Sequence, residues 1–124
     1  MKEKYKYIYD ERTGIFYKYY YGAITIKDIH TSWDEAIKNN LIPKNKKGFI
    51  LDYTKATFDM KLSDHIKIAD YYKDHLEIFG NHKIAILTQS AKDVAIPVLV
   101  ESKDNGYYSH PFYTLEAAVR WVLS

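Results

Sequence analysis

Gly48-Phe49-Ile50-Leu51-Asp52-Tyr53 is the stretch that decides the fold: an apolar run closed by a carboxylate, with a helix-like pattern downstream. Phe49-Ile50-Leu51 leads through a polar segment to Ser63, and then to Ile66, Ala69, Tyr72 and Leu76 at helical spacing. The same phrase returns twice. Ile84-Ala85-Ile86-Leu87 leads to Ser90 and the stretch from Val94 to Val100. Phe112-Tyr113 leads to Thr114 and Leu115-Glu116-Ala117-Ala118-Val119-Arg120-Trp121. Strand-like runs alternating with capped helices predict an α/β domain around a mainly parallel sheet.

Upstream, Lys4-Tyr5-Lys6-Tyr7-Ile8-Tyr9-Asp10 alternates as a strand, Glu11 to Gly14 form a turn, and Ile15 to Tyr21 form the second arm of a hairpin ended by Gly22. Thr25 stands three residues before Asp28, a capping-box spacing. Ile26, Ile29, Trp33, Ala36 and Ile37 then mark one face of a helix that Asn39-Asn40 and Pro43 stop. Downstream of Tyr53, Thr54 to Leu62 is expected as a loop of nine residues, longer than a strand-to-helix connection requires. A helix from Ser63 to about Phe79 follows, stopped by Gly80-Asn81, and a strand from His82 to Thr88. Ser90 with Asp93 repeats the cap pattern, and Pro97 predicts a kink or early stop in the next helix. Asn105-Gly106 turns into a strand near Tyr107–Tyr113, and Thr114 caps a last helix with Leu115, Ala118, Val119 and Val122 on one face. The order is β-β-α-β-α-β-α-β-α, a mixed, mainly parallel five-stranded sheet, with residues 1–124 as one domain.

Composition narrows the function classes. A net charge of +2 gives no reason to expect nucleic acid. Zero cysteines exclude disulfides and thiolate metal sites and fit a reducing compartment. No stretch approaches the ~18 apolar residues of a membrane span, and Met1-Lys2-Glu3-Lys4 does not open a secretory signal, so a cytoplasmic protein is expected. Thirteen tyrosines, clustered at 5, 7, 9 and at 17, 19, 20, 21, suit either half-buried strands or an aromatic contact surface.

In a parallel sheet, ligands collect outside the carboxyl ends of the strands. That rim carries Asp52, Tyr53, Thr54, Lys55 and Thr57, then Thr88, Gln89 and Ser90, and Thr114. Ser63, Ser90 and Thr114 are equally explained as helix caps, and Asp52 and Thr54 as loop hydrogen-bonding residues. The five histidines form no metal signature: His65 and His75 are separated by about 15 Å of helix. The Lys44–Lys47 cluster reads as a solvated connection. There is no glycine-rich phosphate loop and no Gly-x-Ser-x-Gly elbow, and no cofactor is implied.

Three segments resemble the STAS domain of the bacterial anti-sigma-factor antagonists and sulfate-transporter tails: Gly22 to Asp28, Gly48 to Tyr53, and Phe112 to Trp121. The likeness covers nearly the whole chain and implies the STAS-like α/β fold. In the antagonists, a serine directly after the strand-ending aspartate is switched by phosphorylation. Here Asp52 matches the aspartate, but Tyr53 occupies the serine's place, Thr54 follows, and no glycine comes after it. Thr54, Thr57 and Ser63 remain as substitutes. The resemblance implies a non-catalytic regulatory or protein-interaction module, with a protein partner or a second copy of the chain. STAS-like proteins are also grouped with CRAL-TRIO lipid-binding domains, so the alternative is a carrier holding a lipid or nucleotide under the 54–62 segment. A large apolar cavity there favours the carrier, and a filled core beside an aromatic patch favours the module. Site residues on either reading are Asp52, Tyr53, Thr54, Lys55, Thr57, Ser63, Thr88 and Ser90.

Overall fold

Strands and helices alternate in the computed structural model, which describes residues 3–124. In chain order they are β1 (Tyr5–Asp10), β2 (Ile15–Ile24), α1 (Ile26–Lys38), β3 (Gly48–Phe58), α2 (His65–Asp74), α3 (Leu76–Phe79), β4 (Lys83–Leu87), α4 (Ala95–Glu101), β5 (Tyr108–Phe112) and α5 (Leu115–Val122). The strands lie side by side in that same order. β1 is antiparallel to β2 and every later pair is parallel. The expected element order is therefore observed, with the second long helix divided at His75 into α2 and α3.

Local chemistry accounts for the boundaries. Gly14 turns the hairpin at φ +79°, and its N–H donates to the Asp10 carbonyl at 2.7 Å. The Thr25 hydroxyl accepts from the Asp28 N–H while the Asp28 carboxylate accepts from the Thr25 N–H, closing the capping box of α1. Asn40, left-handed at φ 54°, follows its last turn. Pro97 produces no kink, because it is the third residue of α4, where a missing N–H breaks no intrahelical bond. Pro111 sits in β5, an edge strand, where a lost donor is tolerated.

Four expectations are corrected. β2 does not end at Gly22; it continues to Ile24, with Gly22 at φ +79°. Thr54 to Phe58 is not loop but the second half of β3, leaving a short connection to the 3-10 turn Leu62–Asp64. Ser63 lies in that turn and caps nothing; α2 begins at His65. The buried face of α2 is Ile68, Ala69, Tyr71 and Tyr72, while Ile66 and Leu76 are exposed.

A sheet that grows in one direction with right-handed parallel crossovers must carry all its connecting helices on one face. Helices α1 to α4 do pack there, over Phe16, Tyr20, Phe49, Leu51, Ile84 and Ile86. Trp33 meets Phe49 and Phe79 edge-on, with ring centroids 5.8 and 5.0 Å apart. Fully buried in this layer is Lys18, whose Nζ donates to Ser32 Oγ and stands 3.7 Å over the Trp33 ring and 4.7 Å from Tyr20. No carboxylate bonds it among the described residues. Burial pushes the Lys18 amine well below its ordinary pKa, against a weaker opposing pull from Glu35.

The opposite face is covered by α5 alone, through Ala118 and Val122 on Ile15, Ile50 and Ala85. Gly48 sets the approach: a Cβ there would lie 2.7 Å from Val122 Cγ1 and 2.8 Å from the Lys83 carbonyl oxygen.

Candidate functional site

Helix α5 covers β3, β4, β5 and Ile15 at the start of β2, but leaves β1 and the rest of β2 on its face largely uncovered. Strand alternation puts Lys6, Ile8, Tyr17 and Tyr19 on this open half. Ile8 is 47% exposed in mid-strand. The Tyr17 and Tyr19 rings stack at 6.0 Å with a 10° interplanar angle, and Lys6 Nζ sits 5.4 Å over Tyr19.

A bulge in β3 brings the rim onto the same surface. Tyr19 pairs with Asp52 and Tyr21 with Lys55, so Tyr20 alone opposes both Tyr53 and Thr54. Asp52 holds the bulge: its Oδ1 accepts from the Thr54 N–H at 2.8 Å and the Thr54 hydroxyl at 2.6 Å. The extra residue reverses the parity of the strand. Tyr53 faces the core before it and Ala56 and Phe58 after it, which leaves Thr54 and Lys55 both exposed.

The result is a shallow depression of about 280 Å³ lined by Lys6, Ile8, Tyr19, Tyr20, Tyr21, Asp52, Thr54 and Lys55. A second one runs on along Gly22, Ala23, Thr54, Lys55, Ala56 and Thr57. Burial, and secondarily the Asp52 carboxylate, raise the pKa of the Tyr19 hydroxyl, so it stays protonated as a hydrogen-bond donor. Two amines, the phenols of Tyr19 and Tyr21, a hydroxyl and one carboxylate can bind by hydrogen bonds and charge.

Of the expected site residues, Asp52, Thr54, Lys55 and Thr57 thus come together. Tyr53 does not belong to the site: it is buried, stacked between Tyr20 at 4.4 Å and Phe58 at 4.3 Å. Thr88 is buried as well; its N–H donates to the Phe112 carbonyl at 3.0 Å. Ser90 accepts from the Asp93 N–H at 3.3 Å in the turn before α4, and Thr114 accepts from the Ala117 N–H at 3.2 Å as the cap of α5. Ser63 is exposed and lines neither depression. Lys6, Ile8, Tyr19 and Tyr21 were not singled out as site residues from the sequence; the clustering of tyrosines was their one signal.

The region under residues 54–62 is filled. Ile29, Leu51, Tyr53, Phe58, Ile68, Tyr72, Ile86, Ile96, Pro97 and Val100 enclose a void of only about 20 Å³. That is room for a water, against roughly 300 Å³ or more for a small-molecule pocket. Among the described residues no cluster of His, Asp and Glu could hold a metal ion, and no helix is long and apolar enough to cross a membrane.

These features define a STAS-like α/β fold. No protein-family model matches the chain, and no curated protein matches it. Among solved structures it is similar to an uncharacterised protein of the DUF3478 family, with a SpoIIAA-like fold, from Shewanella loihica PV-4. The TM-score is 0.58 at 15% identity, over 87% of this chain and 83% of that one. At that identity the likeness establishes the fold alone.

Proposed function

We propose that this protein is a non-catalytic regulatory or protein-interaction module of the STAS type, which contacts its partner through the open half-face and the Asp52–Thr57 rim. The observation that carries the reading is the pairing of a filled core with an uncovered aromatic and cationic surface. A carrier holding a lipid or nucleotide under residues 54–62 needs a chamber there, and the void of about 20 Å³ is too small for either. An exposed aromatic patch edged by lysines suits a protein surface, where tyrosine supplies apolar area and a hydroxyl at low entropic cost.

The bulge makes the rim a rigid part of that surface. Asp52 is spent on holding Thr54, so it orients its neighbours, while Lys55 and Tyr19 are the groups free to touch a partner. Native mass spectrometry of the gently purified, tagged chain tests the reading, with wild type beside the variant Tyr19→Ser/Lys55→Ser. The expected result is a stoichiometric protein complex that the variant loses while its circular dichroism is unchanged. A reproducible small-molecule adduct in place of a protein would overturn it.

A further inference from the structure

Strand β1 is one edge of the sheet, and its outer side has a pattern that the open half-face alone does not explain. The Tyr21 N–H donates to the Lys4 carbonyl at 2.8 Å. In an antiparallel ladder every second residue turns its main-chain groups to the partner, so Lys6, Ile8 and Asp10 face β2. Tyr5, Tyr7 and Tyr9 therefore aim their N–H and C=O groups outward. Among the described residues no main-chain hydrogen bond outside the sheet occupies them.

An open edge is a template for another strand, and natural edges are usually blocked by proline, a bulge or a covering loop. The other edge of this sheet has such a block: β5 contains Pro111, and the Asp104 carboxylate takes the Ser109 N–H at 2.6 Å. Among the described residues β1 has no proline, bulge or covering loop, and of the usual guards it carries charges alone, Lys6 and Asp10. It is instead pinned straight on its inner face: Tyr5 donates to Glu35 at 2.9 Å, Tyr7 to the Ser32 carbonyl at 2.5 Å, and Lys4 to Asp28 at 2.8 Å.

The charge order along β1 then says what fits it. Lys6-Tyr7-Ile8-Tyr9-Asp10 is basic at one end, acidic at the other and centred on an exposed isoleucine. Turned antiparallel on itself about Ile8, the segment is self-complementary. Ile8 meets Ile8 of the second copy at a non-hydrogen-bonded position, where side chains come closest. Tyr7 and Tyr9 exchange main-chain bonds with Tyr9 and Tyr7 of that copy, and Lys6 faces its Asp10 twice over. Neither Lys6 nor Asp10 forms a salt bridge among the described residues. A register shifted by one residue would turn the two copies' outer faces opposite ways, and one shifted by two would pull Ile8 off Ile8.

We infer that two copies of this chain pair through β1, antiparallel about Ile8, into one continuous ten-stranded sheet. This rests on the interaction reading and names its first partner. Pairing also joins the two open half-faces, so Tyr17, Tyr19, Lys6 and Ile8 of both copies form one surface across the two-fold axis.

Light scattering after size exclusion, from micromolar to millimolar protein, tests the pairing on the full chain. Wild type is expected to dimerise. Lys6→Asp and Asp10→Lys each set like charges opposite one another and are expected to weaken self-association about tenfold or more. Mixing the two variants is expected to restore a dimer, now mixed, because an all-acidic strand faces an all-basic one. Ile8→Lys, at an exposed position, is a further variant that keeps the fold and removes the dimer. Circular dichroism and thermal melting verify folding throughout. A wild type monomeric at every concentration, or a dimer indifferent to both charge changes, overturns the inference. If a monomeric wild type still holds a protein that Tyr19→Ser/Lys55→Ser releases, the interaction reading stands and self-pairing alone falls. If the dimer persists with no further protein bound at the rim, it is the rim reading that falls.

Discussion

On the helix-layer side of the sheet, Phe16, Trp33, Phe49 and Phe79 interlock with three crossover connections above them. On the other side, α5 alone covers β3, β4, β5 and Ile15, and half-buried Tyr17 and Tyr19 lie with exposed Lys6 and Ile8 over the rest of β1 and β2. Both sides carry strand aromatics, though the helix layer holds more of them. What separates them is connectivity: chain-ordered strands with one-handed crossovers send every connecting helix to the same face. The bare half-face follows from topology, and the sequence furnishes it with groups suited to contact.

Substitutions can break or sharpen that contrast. The largest loss is expected at Trp33→Ala, about 3–5 kcal/mol by chemical denaturation, because the ring is fully buried among Phe16, Phe49 and Phe79. Trp121, only partly buried against Phe112 at 5.3 Å, should cost less than half as much when replaced by Ala. Equal losses would mean that the two faces are equally packed.

Gly48→Ala should cost about 1–3 kcal/mol, since its new methyl meets both α5 and the β4 backbone. Hydrogen exchange should show that loss as α5 opening while α1 stays protected. Loss of protection in both helices would mean that the two faces are not independent.

Lys18→Met should stabilise the protein by about 1–4 kcal/mol at neutral pH, with Ser32 keeping its bond to the Ile29 carbonyl. The aromatic rings offer the ammonium roughly 1–2 kcal/mol, less than the several that desolvation removes. Lys18 has a depressed pKa in the folded state, so the unfolded chain binds its proton first as pH falls below 10.5. The wild type therefore loses stability on going down through that region, and the gain from Met should shrink as pH rises toward 10.5 and level off above it. A gain independent of pH would mean that the amine stays charged inside.

The smallest effects belong to the open half. Asp52→Ala should cost about 1 kcal/mol through the bulge. Lys6→Ala should stay within about 0.5 kcal/mol. A large loss at Lys6 would show that this surface is packed.

Legibility in the sequence divides along the same line. The hairpin, the Thr25–Asp28 box and the Thr114 cap were readable because each is set by residues within a few positions of one another. The second half of β3 was not, because the bulge breaks the alternation that marks a strand, and Thr54-Lys55 passes for a loop. Only half of the α2 face is readable: Ala69 and Tyr72 are buried as the stripe predicts, but Ile66 and Leu76 fit that spacing as well as Ile68 and Tyr71 do, and packing against α1 and α4 chose between them. Lys18 was hidden by the tyrosines around it, which make both faces of β2 look alike. Asp52, Thr54 and Lys55 stood out as polar rim residues, but their neighbours Lys6 and Tyr19 join them only through strand pairing.

The place of α5 in chain order has a consequence for synthesis. Translation at roughly 5–20 residues per second delivers all five strands before Leu115. Each strand can dock on the one made just before it, so the sheet can grow steadily as the polypeptide emerges. Ile15, Ile50 and Ala85 stay wet meanwhile, since Ala118 and Val122 arrive after every strand is in place. A released chain cut short before α5 would hold a nearly complete sheet with one greasy side uncovered, the form in which a chaperone or an aggregate would find it.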